Sequence, residues 1–341
     1  MHVSVLPITT QRLHLRMMRL ADAPGIAAYR GLPEIARYQD WDMPYGLDDA
    51  QRTLSKQQAW DDVTAGEWVQ VAIEHQGEVV GDVAVGMVAP GVAGLGYSLA
   101  PQHHGFGYVS EAAEAVVDAL FANTDVVRIV ATLDPQNFAS MRVIEQLGFT
   151  YEGLARRAEL IRGEWLDDMR FAVLKDERHA WTSRDRSHPA QVELVQIGPG
   201  EARDWAKLET HKFQRQFVAT ILESFADAIH PPIVDGAPLV PWYRGIEADG
   251  QRVGFVMMAD ITMGEPHPYL WRLVIDRWHQ RRGIAIAALH QLIEQLRAQG
   301  RTKLYVSYVQ TPGGPEPLYR NLGFVPTGEM DGDETVAALV L

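Results

Sequence analysis

Apolar positions along the chain switch between a period of two and a period near 3.6, and the switches come in the same order twice. Arg12-Leu13-His14-Leu15-Arg16 alternates as a half-buried strand does. Helices are expected over 21–29 and 47–62, then a hairpin of 68–73 and 79–85 turning at Gln76-Gly77. A strand near 96–99 leads into a helix whose stripe is Val109, Ala113, Val116, Leu120 and Phe121. A β-branched strand over 126–132, a short helix over 137–146 and two strands around Arg162-Gly163-Glu164 follow. The polar, non-periodic stretch 176–191 reads as a linker.

Beyond it the order returns. A strand and a helix fall in 192–208 and a helix in 217–228, ended by Pro231-Pro232. Strands 244–248 and 253–258 flank Asp249-Gly250, a type I′ hairpin dipeptide. The apolar run 269–275 has the length of a buried strand, and Ile286, Leu289, Ile293 and Leu296 form a helical stripe ending near Gly300. A strand at 303–309, a helical turn at 317–321 and a closing strand at 336–341 complete the chain.

Short identities reinforce the parallel. Gln102-His103-His104-Gly105-Phe106-Gly107 and Gln280-Arg281-Arg282-Gly283-Ile284-Ala285 both fit Q-x-x-G-x-[G/A], 178 residues apart. Gly77 to Gly81 matches Gly250 to Gly254 at an offset of 173, and Leu147-Gly148-Phe149 matches Leu322-Gly323-Phe324 at 175. The chain is therefore expected to be two copies of one mixed α/β domain, over 1–178 and 192–341, joined by a linker at 179–191. Each copy would hold a largely antiparallel sheet with one parallel strand–helix–strand unit, its ligand at the strand-to-helix loop.

Bulk properties narrow the chemistry. The length of 341 residues suits two domains. With no cysteine, disulfides, thiolate nucleophiles and zinc–thiolate sites are excluded. A net charge of −13 argues against nucleic acid as a partner and leans toward cationic substrates. No apolar run is long enough for a membrane helix, and the N-terminus lacks a basic-then-apolar leader, so a cytoplasmic protein is expected. His103-His104 and the acidic cluster Asp331, Asp333 and Glu334 are better read as loop and hairpin-turn residues than as metal ligands, and no metal is expected.

A tight loop between strand and helix aims backbone N–H groups and the positive end of a helix at one point, which suits an anion. Neither copy contains a Walker A loop or a complete G-x-G-x-x-G fingerprint. The loop motif with a later L-G-F instead resembles the GNAT superfamily of N-acetyltransferases. From Arg12-Leu13-x-Leu15-Arg16 through Asn137-x-x-Ser140 to Leu147-Gly148-Phe149, the first copy is similar to the ribosomal-protein and aminoglycoside branch. The second is similar to bacterial polyamine or diamine acetyltransferases, from Trp242-Tyr243 through Leu270-Trp271-Arg272 to Thr327-Gly328-Glu329.

That resemblance implies acetyl-CoA as co-substrate. Gln280, Arg281, Arg282, Gly283, Ile284 and Ala285 would hold the CoA diphosphate in the second copy, as would Gln102, His104, Gly105, Phe106 and Gly107 in the first, with Asn137 also contacting CoA. The pantetheine arm would pair with the strand at Val274 and Ile275, or at Leu99 and Ala100. Tyr319 would return a proton to the departing thiolate, and Ser140 would stand in the corresponding place of the first copy. Where relatives of that copy carry an acid, this sequence has Gly94, with His103 the nearest alternative base. The expected acceptor is a primary amine of a small molecule, polyamine-like or an antibiotic, acted on by the second copy. An acyl-CoA sensor without turnover, a protein N-terminal acetyltransferase and a homodimer are left open, as is whether Trp41, Trp60, Trp242 and Tyr243 line acceptor pockets or pack in the core.

Overall fold

The computed structural model describes residues 4–60, 62, 68–234, 236–260 and 267–341. The chain divides into two compact units, Met1–Ser183 and Arg184–Leu341.

In the first unit, β1 (Ile8–Thr9), β2 (His14–Met17), β3 (Trp68–His75), β4 (Glu78–Ala89), β5 (Val92–Leu99), β6 (Arg128–Leu133), β7 (Thr150–Ile161) and β8 (Glu164–Leu174) form one sheet. Its order is β1-β2-β3-β4-β5-β6-β8-β7. Helices α1 (Ala23–Arg30), α2 (Pro33–Ala36) and α3 (Leu47–Gln57) lie between β2 and β3, α4 (Tyr108–Asn123) follows β5, and α5 (Phe138–Gln146) follows β6. The predicted turns at Gln76-Gly77 and Arg162-Gly163 both have two successive positive-φ residues, as type I′ turns require. The helix expected to reach residue 62 stops at Gln57, whose side chain turns inward to bond the Gln70 backbone and the Met18 carbonyl.

Helix α6 (Lys175–Ser183) corrects the linker reading. Its apolar content is Ala180 and Trp181, too sparse to show a period, yet Trp181 is buried and covers Gly148. Arg178 beside it donates to the Leu147 carbonyl and pairs with Glu114 and Asp118.

The second unit repeats the plan with β9 (Val192–Val195), β10 (Ile233–Val234), β11 (Ala237–Pro238), β12 (Val240–Ala248), β13 (Gln251–Asp260), β14 (Tyr269–Ile275), β15 (Lys303–Tyr308), β16 (Val325–Asp331) and β17 (Glu334–Val340). The main sheet runs β16-β17-β15-β14-β13-β12-β9, with β10 and β11 as a separate ribbon. Helices are α7 (Ala202–Trp205), α8 (Ile221–Ile229), α9 (Ile284–Ala298) and α10 (Glu316–Asn321). The cluster Asp331, Asp333 and Glu334 is the β16–β17 turn, with Asp331 paired to Glu334 and Gly332 at φ +60°. Strand β16 escaped the sequence reading because every one of its residues is exposed, which leaves no apolar alternation.

Helix α9 packs through Ile284, Ala288, Leu289, Leu292, Ile293 and Leu296, each buried Leu or Ile contributing about 1.5–3 kcal/mol. Ile286, expected on that stripe, lies beyond its edge and is 39% exposed. Gly300 has φ +73° just past the helix, as a C-terminal glycine does. Trp242 packs against this core, and Tyr243 sits between Phe225 and Phe255 in a second cluster, so both serve as core.

One feature of both sheets prepares a site. Among the described residues, every strand pair is antiparallel except β5–β6 and β14–β15. Those parallel pairs are joined at only three positions (Val92, Ala93, Gly94) and two (Tyr269, Leu270). Past Gly94 and Leu270, which are 176 residues apart, the strands diverge and leave a gap along the rest of β5 and β14. A gap edged by unpaired backbone can accept an extended chain as an added strand.

Candidate active site

The loop closing each gap begins where β5 or β14 ends. Helix α4 has Gly107 as its N-cap, at φ +79°, and α9 has Gly283, at φ +76°. Neither N-cap side chain bonds the first turn, so those N–H donors remain for an anion. The residue two places before each glycine is also left-handed, Gly105 at φ +83° and Arg281 at φ +65°.

This geometry shifts the alignment of the two copies. Gly107, not Gly105, is the counterpart of Gly283, and the true offset is 176. The side chains agree: Gln280 Nε2 donates to the Ile275 carbonyl at 3.0 Å, and His104 Nε2 lies 3.0 Å from the Leu99 carbonyl. Both pairs are separated by 176 residues. His104 therefore does the work of Gln280, and Gln102 lies exposed in the short turn Pro101–His103. The flanking matches at 173 and 175 already sat closer to 176 than to 178.

The loops are held by side chains that motif reading missed. Arg12 donates to the Phe106 carbonyl at 2.8 Å, and His188 Nδ1 lies 2.8 Å from the Arg282 carbonyl. The segment leading into β2 in the first copy, and into β9 in the second, thus pins the carbonyl just before the N-cap glycine. Arg282, expected at a phosphate, is buried and turned the other way. Its guanidinium bonds Asp185, the Ser187 carbonyl and His279. Arg281 is exposed.

The backbone along each gap also sorts the expected contacts. The Ala100 N–H donates to Val80 on β4, and the Asp276 N–H to Val253 on β13. Backbone groups alternate sides along a strand, so Leu99 and Tyr97, and Ile275 and Leu273, face the gap. Ala100 and Val274 are committed to the sheet instead. Gly81 and Gly254 allow this close packing, since a Cβ there would sit 2.4 Å from the Ser98 carbonyl and 2.3 Å from that of Val274.

At the far side of the gap the two units differ. Phe149 N–H donates to Ile144, and Phe324 N–H to Tyr319, so Ile144 is the counterpart of Tyr319 and Ser140 is not. Tyr319 is buried, stacked on Tyr308 and edge-on to Phe324. Burial pushes its phenol pKa up, and the charge of Glu334 adds to this, so it is protonated at neutral pH. Glu334 also accepts a hydrogen bond from Ser307. Nearby Arg272 pairs with Asp227 at 3.3 Å and faces Glu223 and Glu334; burial depresses its pKa.

In the first unit a phenol comes from the strand. Tyr97 Oη lies 2.7 Å from Ser140 Oγ and donates to the Ser140 carbonyl, while Asn137 caps α5 by accepting the Ser140 N–H. Burial raises the Tyr97 pKa. On the β7–β8 hairpin, Asp168 has its carboxyl raised to about 6, first by burial and then by the charge of Glu159. Arg162 at the hairpin tip donates to the Gln39 and Trp41 carbonyls, and Gln39 reaches the Tyr97 carbonyl at 3.5 Å. At Gly94 no side chain fits, because the Trp68 ring lies 2.6 Å from where a Cβ would be. His103 stands beside Tyr108 at the loop end, five strand residues (~16 Å) from Gly94, and does not replace the missing acid.

Residues 12–150 match the family described as Acetyltransferase (GNAT) domain, and residues 203–324 match the Acetyltransferase (GNAT) family. The chain is a tandem of two GNAT acetyltransferase domains. It is 31% identical over 173 residues to the uncharacterized N-acetyltransferase p20 of Bacillus licheniformis, covering 49% of this chain and 96% of that one. Over 88 residues it is 33% identical to the ribosomal protein uS5-alanine N-acetyltransferase of Escherichia coli, covering 26% of this chain and 44% of that one. Among solved structures, Mycobacterium smegmatis RimJ in complex with CoA-disulfide is 25% identical and covers 54% of this chain and 97% of its own, with a TM-score of 0.47. The N-terminal half resembles the ribosomal-protein acetyltransferases, and the protein is an acetyl-CoA-dependent N-acetyltransferase. Among the described residues no helix is long and apolar enough to cross a membrane, and no group of three or more His, Asp or Glu could hold a metal ion.

Proposed function

We propose that the second GNAT domain acetylates a primary amine of a small polycation. The charge around Tyr319 carries this reading: Glu334 faces the phenol, and three carboxylates, Asp227, Glu223 and Glu334, stand against two cations, Arg272 and Arg215, the latter 4.0 Å from Glu223. Such a surplus of carboxylates draws in ammonium groups. The acceptor ammonium, with a pKa of about 10.4, gives up a proton to a carboxylate through water. The neutral nitrogen attacks the thioester carbon, and a gap-facing N–H of Ile275 or Leu273 stabilises the oxyanion. The C–S bond then breaks, the acetyl group stays on nitrogen, and Tyr319 protonates the thiolate.

A free-thiol assay of the full chain with linear polyamines, aminoglycosides and N-terminal peptides tests the proposal. Tyr319→Phe should lower kcat on the best polyamine about tenfold or more, with KM for acetyl-CoA nearly unchanged. Unchanged turnover in that variant, or turnover with peptides alone, would remove this reading.

A second reading concerns the first domain. It would acetylate the α-amine of a protein, with Ser140 protonating the thiolate, Tyr97 holding Ser140 and Asp168 as base. The resemblance of this half to ribosomal-protein acetyltransferases supports it, as does the Tyr97–Ser140 contact. Peptide turnover that survives Tyr319→Phe and is lost in Ser140→Ala would establish it.

A further inference from the structure

We propose that Phe106 is the stacking platform for the adenine ring of CoA in the first domain, a subsite the second domain lacks. The inference rests on the reading that the Gly105–Gly107 loop holds the CoA diphosphate. Phe106 immediately precedes the N-cap glycine of α4, and the residue is 58% exposed. A single exposed phenylalanine is unremarkable on a protein surface. This one, however, is the outer layer of a fixed stack.

Its ring lies parallel to that of Tyr108, with centroids 5.7 Å apart and an interplanar angle of 18°. Tyr108 is buried, and its hydroxyl lies 3.1 Å from His75 Nε2. The Arg12 guanidinium sits 4.9 Å from the Tyr108 centroid and holds the Phe106 carbonyl. Backbone and inner face are thus both fixed, and the outer face is open. In CoA the adenosine is joined to the diphosphate through its 5′ oxygen. A ring one residue from the N-cap glycine is therefore within its reach, and any purine has a π-face to stack.

The second domain offers no equivalent. Its counterpart of Phe106 is Arg282, buried among Asp185, Ser187 and His279, and its counterpart of Tyr108 is Ile284, also buried. The first domain should discriminate between CoA and its adenosine-free fragment, and the second should do so much less.

Calorimetric titration of the full chain with CoA and with 4′-phosphopantetheine, which lacks the adenosine, decides the matter. In Phe106→Ala and Phe106→Leu, one equivalent of CoA should bind about tenfold or more weakly, while Phe106→Trp retains wild-type affinity. Binding of 4′-phosphopantetheine should be the same in all four proteins. A CoA isotherm of Phe106→Ala that superimposes on wild type would overturn the proposal. So would an equal loss for 4′-phosphopantetheine, which would mean that Phe106 only shapes the loop. If wild type binds CoA at one equivalent, and a first-domain Gly107→Asp change leaves that equivalent intact, the underlying reading of the loop fails instead.

Discussion

At Asp168 the sign of a pKa shift makes a residue-scale prediction. Its carboxyl is raised to about 6 from the model-compound value of 3.8 by burial and by Glu159. Between those values the folded chain keeps a proton that the unfolded chain has lost. The contribution to stability is therefore full below about pH 4 and is lost as pH rises through about 6. Asp168→Asn should raise the melting temperature at pH 7.5 relative to wild type and give no gain at pH 4. If Asp168 is also the base of the first domain, peptide acetylation should rise through about pH 6 in wild type and lose that step in the variant. Tyr97→Phe leaves Ser140 without its 2.7 Å partner but keeps the ring. It should reduce first-domain kcat several-fold with little change in KM for acetyl-CoA, measured at steady state with a peptide acceptor.

The strand–loop–helix elements are alike in path and different in what surrounds them. Gly107 and Gly283 have nearly the same φ, but a Cβ at Gly107 would meet only Arg12 Nη2, at an ordinary 3.5 Å, whereas one at Gly283 would lie 2.8 Å from His188 Nδ1. Gly107→Ala should cost about 1 kcal/mol, the price of a left-handed backbone alone. Gly283→Ala should cost more, about 2–3 kcal/mol, because the ring that pins the Arg282 carbonyl must move. Thermal melts of the two variants compare them directly, and equal losses would remove His188 from its holding role. Arg282→Lys belongs to the same element: a lysine cannot reproduce the fork that bonds Asp185, the Ser187 carbonyl and His279, and the melting temperature should fall.

For the whole molecule, the boundary between the units is a matter of packing. Trp181 fills the space over Gly148, where a Cβ would lie 2.6 Å from the indole. A fragment ending at residue 178 exposes that surface, and one ending at Ser183 keeps it covered. The longer fragment should be recovered folded and the shorter one aggregated or molten, as judged by near-ultraviolet dichroism. On the other side of the boundary, Asp185, Ser187 and His188 are bonded to Arg282 in the loop before α9. The polar stretch that looked like a tether is half helix and half clamp.

The amino-acid sequence determined the duplication, the strand–loop–helix core of each copy, the hairpin turns and the acetyltransferase assignment. Each of these rests on local rules: a period, a turn dipeptide, a glycine before a helix. Tertiary structure decided what pairs across the fold. It set the register at 176 through two side-chain bonds to strand carbonyls, and it put Ile144 rather than Ser140 in the place of Tyr319, with the Tyr97 phenol set on Ser140 instead. It also turned Arg282 inward while leaving Arg281 at the surface. The two register bonds span five residues each but are side chain to backbone and carry no period. The Tyr97–Ser140 and Arg282–Asp185 contacts join residues 43 and 97 apart, which leave no periodic trace in the chain between them.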